Sequence, residues 1–113
     1  MMPRTTTLLV LLWASQATAV QQRFALIVGV NEGIVEEADL AYAERDAAAM
    51  GHTLTRLGGV PSENLVLMQG ADRDAFLRAL DALGRRIAQA RADDAGIEPV
   101  LFVYYSGHGG AQR

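Results

Sequence analysis

The 113-residue chain contains no cysteine, and every one of its ten basic residues is an arginine. The missing cysteine excludes disulfides, thiolate metal sites and a thiol nucleophile within these residues. The missing lysine, beside abundant alanine, reads as a coding bias rather than a function. Histidine is scarce too: His52 falls in a helical pattern and His108 lies far from it, so the pair has no metal-ligand spacing. With a net charge of −3 and one fifth of the residues charged, there is no basic stripe, and nucleic acid is not an expected partner. No Gly-x-Ser-x-Gly nucleophile elbow occurs. Gly29 and Gly33 lack the further glycine that a dinucleotide-binding turn needs. Internal repeats, low-complexity tracts and a second domain are likewise absent. What remains is the composition of a soluble globular domain, half of it apolar.

The first nineteen residues differ from the rest. Arg4 provides a short positive segment, residues 8–14 an apolar one, and Ala17-Thr18-Ala19 the small-x-small pattern that signal peptidase cuts after. The apolar segment is too short to span a bilayer, which takes about 20 residues. The expectation is a secretory signal over residues 1–19, a mature chain starting near Val20 or Gln21, and export to the periplasm or the medium, with no transmembrane segment.

From Arg23 onward strand and helix patterns alternate. Residues 24–30 form a continuous apolar run of buried-strand type, closed by the Asn31-Glu32-Gly33 turn. An acidic loop with Glu32, Glu36, Glu37 and Asp39 follows, either a solvated loop or one wall of a substrate cleft. A helix is predicted over residues 40–57, with Ala43, Ala47, Met50, Leu54 and Leu57 along one face, and Gly58-Gly59 able to end it in the left-handed conformation. His52 belongs to the surface of this helix. Residues 64–68 make a short second strand. Asp72 is a good N-cap for a second helix that buries Phe76, Leu80, Leu83 and Ile87 and runs to about Arg91. Arg85, Arg86 and Arg91 suit the negative end of its dipole. Two β-α-β units in series imply parallel strands joined by right-handed crossovers, the first half of an α/β sandwich.

The third strand carries the most informative stretch. After Pro99, residues 100–105 are apolar or aromatic and suited to burial on both faces, and Ser106-Gly107-His108-Gly109-Gly110 follows at once. In open α/β sheets ligands bind beyond the carboxyl ends of such strands. His108 is therefore placed for chemistry; flanking glycines let the backbone turn and leave the Gly109 and Gly110 amides available to an oxyanion. A solvated turn histidine is the plain alternative, and strand-end position, paired glycines and neighbouring Tyr104, Tyr105 and Ser106 together argue against it. A lipase-type His-Gly-Gly oxyanion hole is a further alternative, but Ser106-Gly107 separates strand from histidine. His108 stands five residues from the last residue, so the expectation is a truncated domain over residues 20–113.

The Leu26-Ile27-Val28-Gly29-Val30-Asn31 strand, the helix opening Leu40-Ala41-Tyr42-Ala43-Glu44-Arg45-Asp46-Ala47, the Asn64-Leu65 strand and the Tyr104-Tyr105-Ser106-Gly107-His108-Gly109 end resemble the caspase and metacaspase group of cysteine peptidases. The similarity covers about residues 23–110, and its last motif is the most specific part. The resemblance implies a three-layer α/β/α sandwich with a mainly parallel sheet, here only its first β-α-β-α-β portion. It implies a cysteine endopeptidase acting on a polypeptide substrate, with His108 as catalytic histidine and Gly109 as an oxyanion-hole amide. The nucleophilic cysteine, expected roughly 50 residues beyond the histidine, would fall after Arg113, so the fragment alone is expected to be inactive. Arg45 and Asp46 match a family pattern of structural role. The loop after the first strand supplies no arginine for an acidic P1 side chain, and its carboxylates suit arginine or lysine, as in metacaspases. Calcium enters only through the metacaspase resemblance; no ligand set is assigned, and no cofactor is evident. The alternatives are a non-catalytic caspase-homologous binding or regulatory module and an α/β-hydrolase fragment.

Overall fold

The computed structural model describes residues 19–33 and 40–109. Strand β1 spans Val20–Gly29, helix α1 Ala43–Arg56, strand β2 Leu65–Gln69, helix α2 Arg73–Asp93 and strand β3 Ile97–Ser106, with a single 3₁₀ turn, Ser62–Asn64, before β2. The strands form one parallel sheet in the order β2-β1-β3.

The central strand explains the layering. Successive side chains of a strand point to opposite faces. Phe24, Leu26 and Val28 accordingly pack on Leu83 of α2, while Ala25 and Ile27 pack on Ala47 of α1 and on Val60. Each helix covers one face, giving the three layers expected. The chain goes from β1 through α1 to β2 on one side, then through α2 back past β1 to β3 on the other. Reversal of direction at β1 creates a crevice beyond the carboxyl ends of β1 and β3, the place where open parallel sheets bind ligands.

Small residues set the depth of packing. Ala43, Ala47 and Gly51 are the buried positions of α1, one turn apart, and they bring the helix down onto β1. A Cβ at Gly29 would lie 2.4 Å from the Ala43 carbonyl oxygen and 2.7 Å from the Ala47 Cβ. The first turn of α1 therefore rests against the end of β1.

Several expectations shift. The first helix begins at Ala43 rather than at residue 40, because Asn31 diverts the preceding segment: its carbonyl accepts from the Leu40 N–H at 2.6 Å and its Oδ1 from the Glu44 N–H at 3.0 Å. Leu57 does not join the apolar face; the helix stops at Arg56, and Leu57 is 85% exposed. Of the two glycines that follow, only Gly59 takes the left-handed conformation, with φ +68°. The second helix has its expected cap, the Ala75 N–H donating to Asp72 Oδ1 at 2.7 Å, and continues two residues further, to Asp93. Arg86 is more than a helix-end charge, since it donates to the Glu63 carbonyl and to Asn64 Oδ1, while Asn64 Nδ2 donates to the Arg23 carbonyl. That chain ties α2 to the entry of β2 and the middle of β1.

The third strand departs most. Its apolar pattern suits burial on both faces, yet Leu101, Phe102, Val103 and Tyr105 are all exposed, because β3 is an edge of the described sheet. Pro99 lies inside the strand, paired with Gln22, rather than ahead of it. An edge strand tolerates the missing N–H.

Candidate active site

His108 lies two residues past the end of β3, half-buried, beyond the carboxyl ends of β1 and β3. The two strands stay together up to that point: beyond the ladder, the Val30 N–H donates to the Ser106 carbonyl at 2.9 Å. Parallel register places Tyr105 beside Val28, on the face that Leu26 and Phe24 share. Its ring turns over the backbone that follows, and its hydroxyl donates to the His108 carbonyl at 2.8 Å.

Gly107 has a different reason for being glycine than the turn flexibility expected of it. Positive φ occurs, among the described residues, only at Gly59 and Gly70. What excludes a side chain at Gly107 is the neighbouring ring: a Cβ there would lie 2.5 Å from the Tyr105 hydroxyl and 2.8 Å from Cζ. Residues two apart on a strand share a face, so the missing Cβ is the space through which the ring passes. Gly109 is exposed, and a Cβ on it would meet nothing within 4 Å. Its surroundings are open to an approaching carbonyl oxygen.

On the α2 side of the crevice lies a mostly apolar pocket of about 460 Å³, walled by Val28, Val30, Ala71, Asp72, Arg73, Phe76 and Tyr105. Glu32, exposed in the turn after β1, is the acidic-loop residue that falls among those described; Glu36, Glu37 and Asp39 lie outside them, as do Gly110 and residues 1–18 of the expected signal segment. Arg45 and Asp46 are exposed in the first turns of α1, with the Arg45 guanidinium 5.9 Å from the centre of the Tyr42 ring. His52 is exposed on the same helix, nine residues from its first residue Ala43, roughly 13 Å at 1.5 Å per residue, and so toward the opposite end of the sheet. The fold does not bring the two histidines together.

No group of three or more His, Asp or Glu side chains that could hold a metal ion occurs among the described residues. These described residues do not fit a calcium site. Nor is any described helix long and apolar enough to cross a membrane.

The strand-end place of His108 and Gly109 was legible in the sequence; the contacts of the turns around them were not. Asn31 anchors the turn on the β1 side, and Tyr105 spans the turn on the β3 side. The spacing of Tyr105 and Gly107, two residues apart at a strand end, was the available signal. An imidazole at a strand end, an open glycine amide beside it and a crevice at the reversal of strand order can serve acyl transfer once a nucleophile is supplied. The chain itself has no thiol.

The caspase-domain family profile matches residues 22–113. A protein named a probable protease, from a Desulfuromonadales bacterium, is 35% identical over 100 residues, covering 78% of this chain and 12% of that protein. The chain thus spans about an eighth of the length of that relative. No solved structure matches it. The match over the strand-helix framework and the histidine turn alike makes this chain a member of the caspase-domain family.

Proposed function

We propose that this chain is the histidine-bearing part of a caspase-type cysteine endopeptidase, with its nucleophilic thiol on a segment after Arg113. The observation that carries the reading is His108 at the carboxyl end of β3, in the crevice where the strand order reverses, with the open Gly109 amide next to it. In this reaction the thiolate attacks the scissile carbonyl, and the oxyanion that forms accepts from the Gly109 N–H. The His108 imidazolium protonates the leaving amine as the C–N bond breaks. Neutral His108 then takes a proton from the water that hydrolyses the acyl-enzyme, and the thiolate is released. An oxyanion-hole donor typically contributes about 2.7–4 kcal/mol of barrier lowering.

Glu32, exposed at the turn after β1, favours a basic P1 side chain over an acidic one. Export is part of the proposal: cleavage after Ala19 would leave β1, which starts at Val20, whole. N-terminal sequencing of exported protein should then begin at Val20, and a Met1 or Met2 start would reject that element.

The deciding experiment compares wild type, His108→Ala and His52→Ala in the full-length protein, using arginine-P1 and aspartate-P1 fluorogenic peptides, with circular dichroism to check folding. General acid-base catalysis contributes roughly 10²–10⁴-fold, so His108→Ala should lose at least that much turnover and His52→Ala almost none. Equal activity in wild type and His108→Ala would sink the assignment. The second reading is a non-catalytic caspase-homologous module. Full-length protein with no downstream cysteine and no peptidase activity would establish it.

A further inference from the structure

We propose that Tyr105 is a positioning residue that aims the Gly109 N–H, and so sets the oxyanion donor of the site; the proposal rests on the reading of His108 and Gly109 given above. The His108 carbonyl and the Gly109 N–H belong to one peptide unit. That unit is planar and trans, so its C=O and N–H point in opposite directions and rotate together. Holding the oxygen fixes the direction of the N–H. The Tyr105 hydroxyl holds it at 2.8 Å, from a ring whose other side faces the pocket shared with Val28, Val30 and Phe76.

Three features make this grip specific. Tyr105 springs from β3, whose register with β1 continues through Val28↔Tyr105 and Gly29↔Ser106, so the hydroxyl is anchored to the sheet and not to the turn it holds. Gly107 is the residue that lets the ring cross: a Cβ would fall 2.5 Å from the hydroxyl, and the flexible ring end is what would give way. Donation into the C=O also polarises the peptide, strengthening its N–H as a donor, by about 10–30% per bond. The neighbouring ring, Tyr104, packs on the opposite face with Ile27 and Ala47 and cannot substitute.

An oxyanion donor acts in the transition state rather than on bound substrate, so a misaimed donor lowers kcat and leaves KM. The test is made in the full-length protein with Tyr105→Phe, Gly107→Ala, the double variant and Tyr104→Phe. Tyr105→Phe keeps the ring and removes the donor; kcat should fall about tenfold with KM within about twofold, the scale of one hydrogen bond governing alignment. Gly107→Ala should reproduce that fall by displacing the ring. The double variant should be no worse than either single, because both remove one interaction. Tyr104→Phe should match wild type. Independently of activity, the ¹⁵N order parameter of the Gly109 amide in glycine-labelled protein should drop in Tyr105→Phe from the rigid range near 0.85 toward the flexible range below about 0.6. An unchanged Gly109 order parameter in Tyr105→Phe overturns the proposal whatever the activity. Unchanged kcat in Tyr105→Phe beside an inactive His108→Ala overturns it while leaving the peptidase reading intact. A wild type without peptidase activity removes that reading, and the amide measurement alone then decides whether Tyr105 holds the turn.

Discussion

Strands β1 and β3 lie side by side in register, are equally apolar, and have opposite fates. Phe24 is 1% exposed and Leu26 wholly buried, whereas Leu101 and Val103, their neighbours across the ladder, are 41% and 50% exposed. An apolar run states that a segment prefers burial; which neighbours arrive to bury it is decided elsewhere in the chain. For β1 they are supplied within these residues, by α1 on one face, α2 on the other and a strand along each edge. For β3 one edge has no strand among the described residues.

The widest gap should appear in stability. In the full-length protein, Phe24→Ala removes a ring sealed between β1 and α2 and should cost about 3–5 kcal/mol, read from hydrogen exchange of the β1 amides. Phe102→Ala should cost about 1 kcal/mol if the other side of β3 stays open, since roughly half the ring is already in water. A Phe102→Ala cost close to that of Phe24→Ala would show that further chain covers β3, and would erase the contrast between the strands.

A second test sharpens the same contrast through association. Residues 20–113 produced alone present β3 as an exposed apolar edge, which invites pairing with another chain. Sedimentation should show self-association, and Val103→Lys, placing a charge on that edge, should suppress it. A monomeric wild type with a cooperative unfolding transition would mean the edge needs no cover and the portion is complete in itself.

How much of this was legible differs between the same two strands. The alternation of strand and helix, the parallel order and both helix faces could be read because each depends on spacing within a segment: Phe76, Leu80, Leu83 and Ile87 repeat at helical intervals, and Asp72 precedes them as a cap. The place of His108 at a strand end was legible because the end of an apolar run and adjacent glycines are also local signals. Exposure of β3 was not, since a two-sided apolar pattern looks the same at the centre of a sheet and at its rim. The longer-range contacts were equally silent. Arg86 reaches Asn64 across 22 positions and Asn31 reaches Glu44 across 13, distances over which sequence periodicity carries no signal. At Gly107 the glycine itself was noticed but its cause was not, because a missing Cβ that admits a ring and a missing Cβ that permits a turn are spelled identically.

The smallest effect separates the two strand ends. Helix α1 begins at Ala43 with Tyr42 as N-cap residue and no side-chain cap of its own, so one of its orphan N–H groups, that of Glu44, depends on Asn31 Oδ1 from the turn after β1. Asn31→Ala leaves that donor to water in a half-buried place, and the loss should resemble that of an ordinary N-cap, about 1 kcal/mol. Asp72→Ala, which removes the exposed cap of α2, should cost about the same or less, by thermal unfolding of the two variants side by side. The distinguishing consequence is spatial: the Asn31 side chain ties the first turn of α1 to the turn after β1, at the mouth of the crevice, whereas Asp72, though it lines the neighbouring pocket, caps only its own helix. Asn31→Ala should therefore raise KM for peptide substrates in the full-length enzyme along with its small loss of stability, and Asp72→Ala should show the stability loss with a smaller change in KM. Equal changes in KM would mean that the β1 turn supports the helix without shaping the crevice.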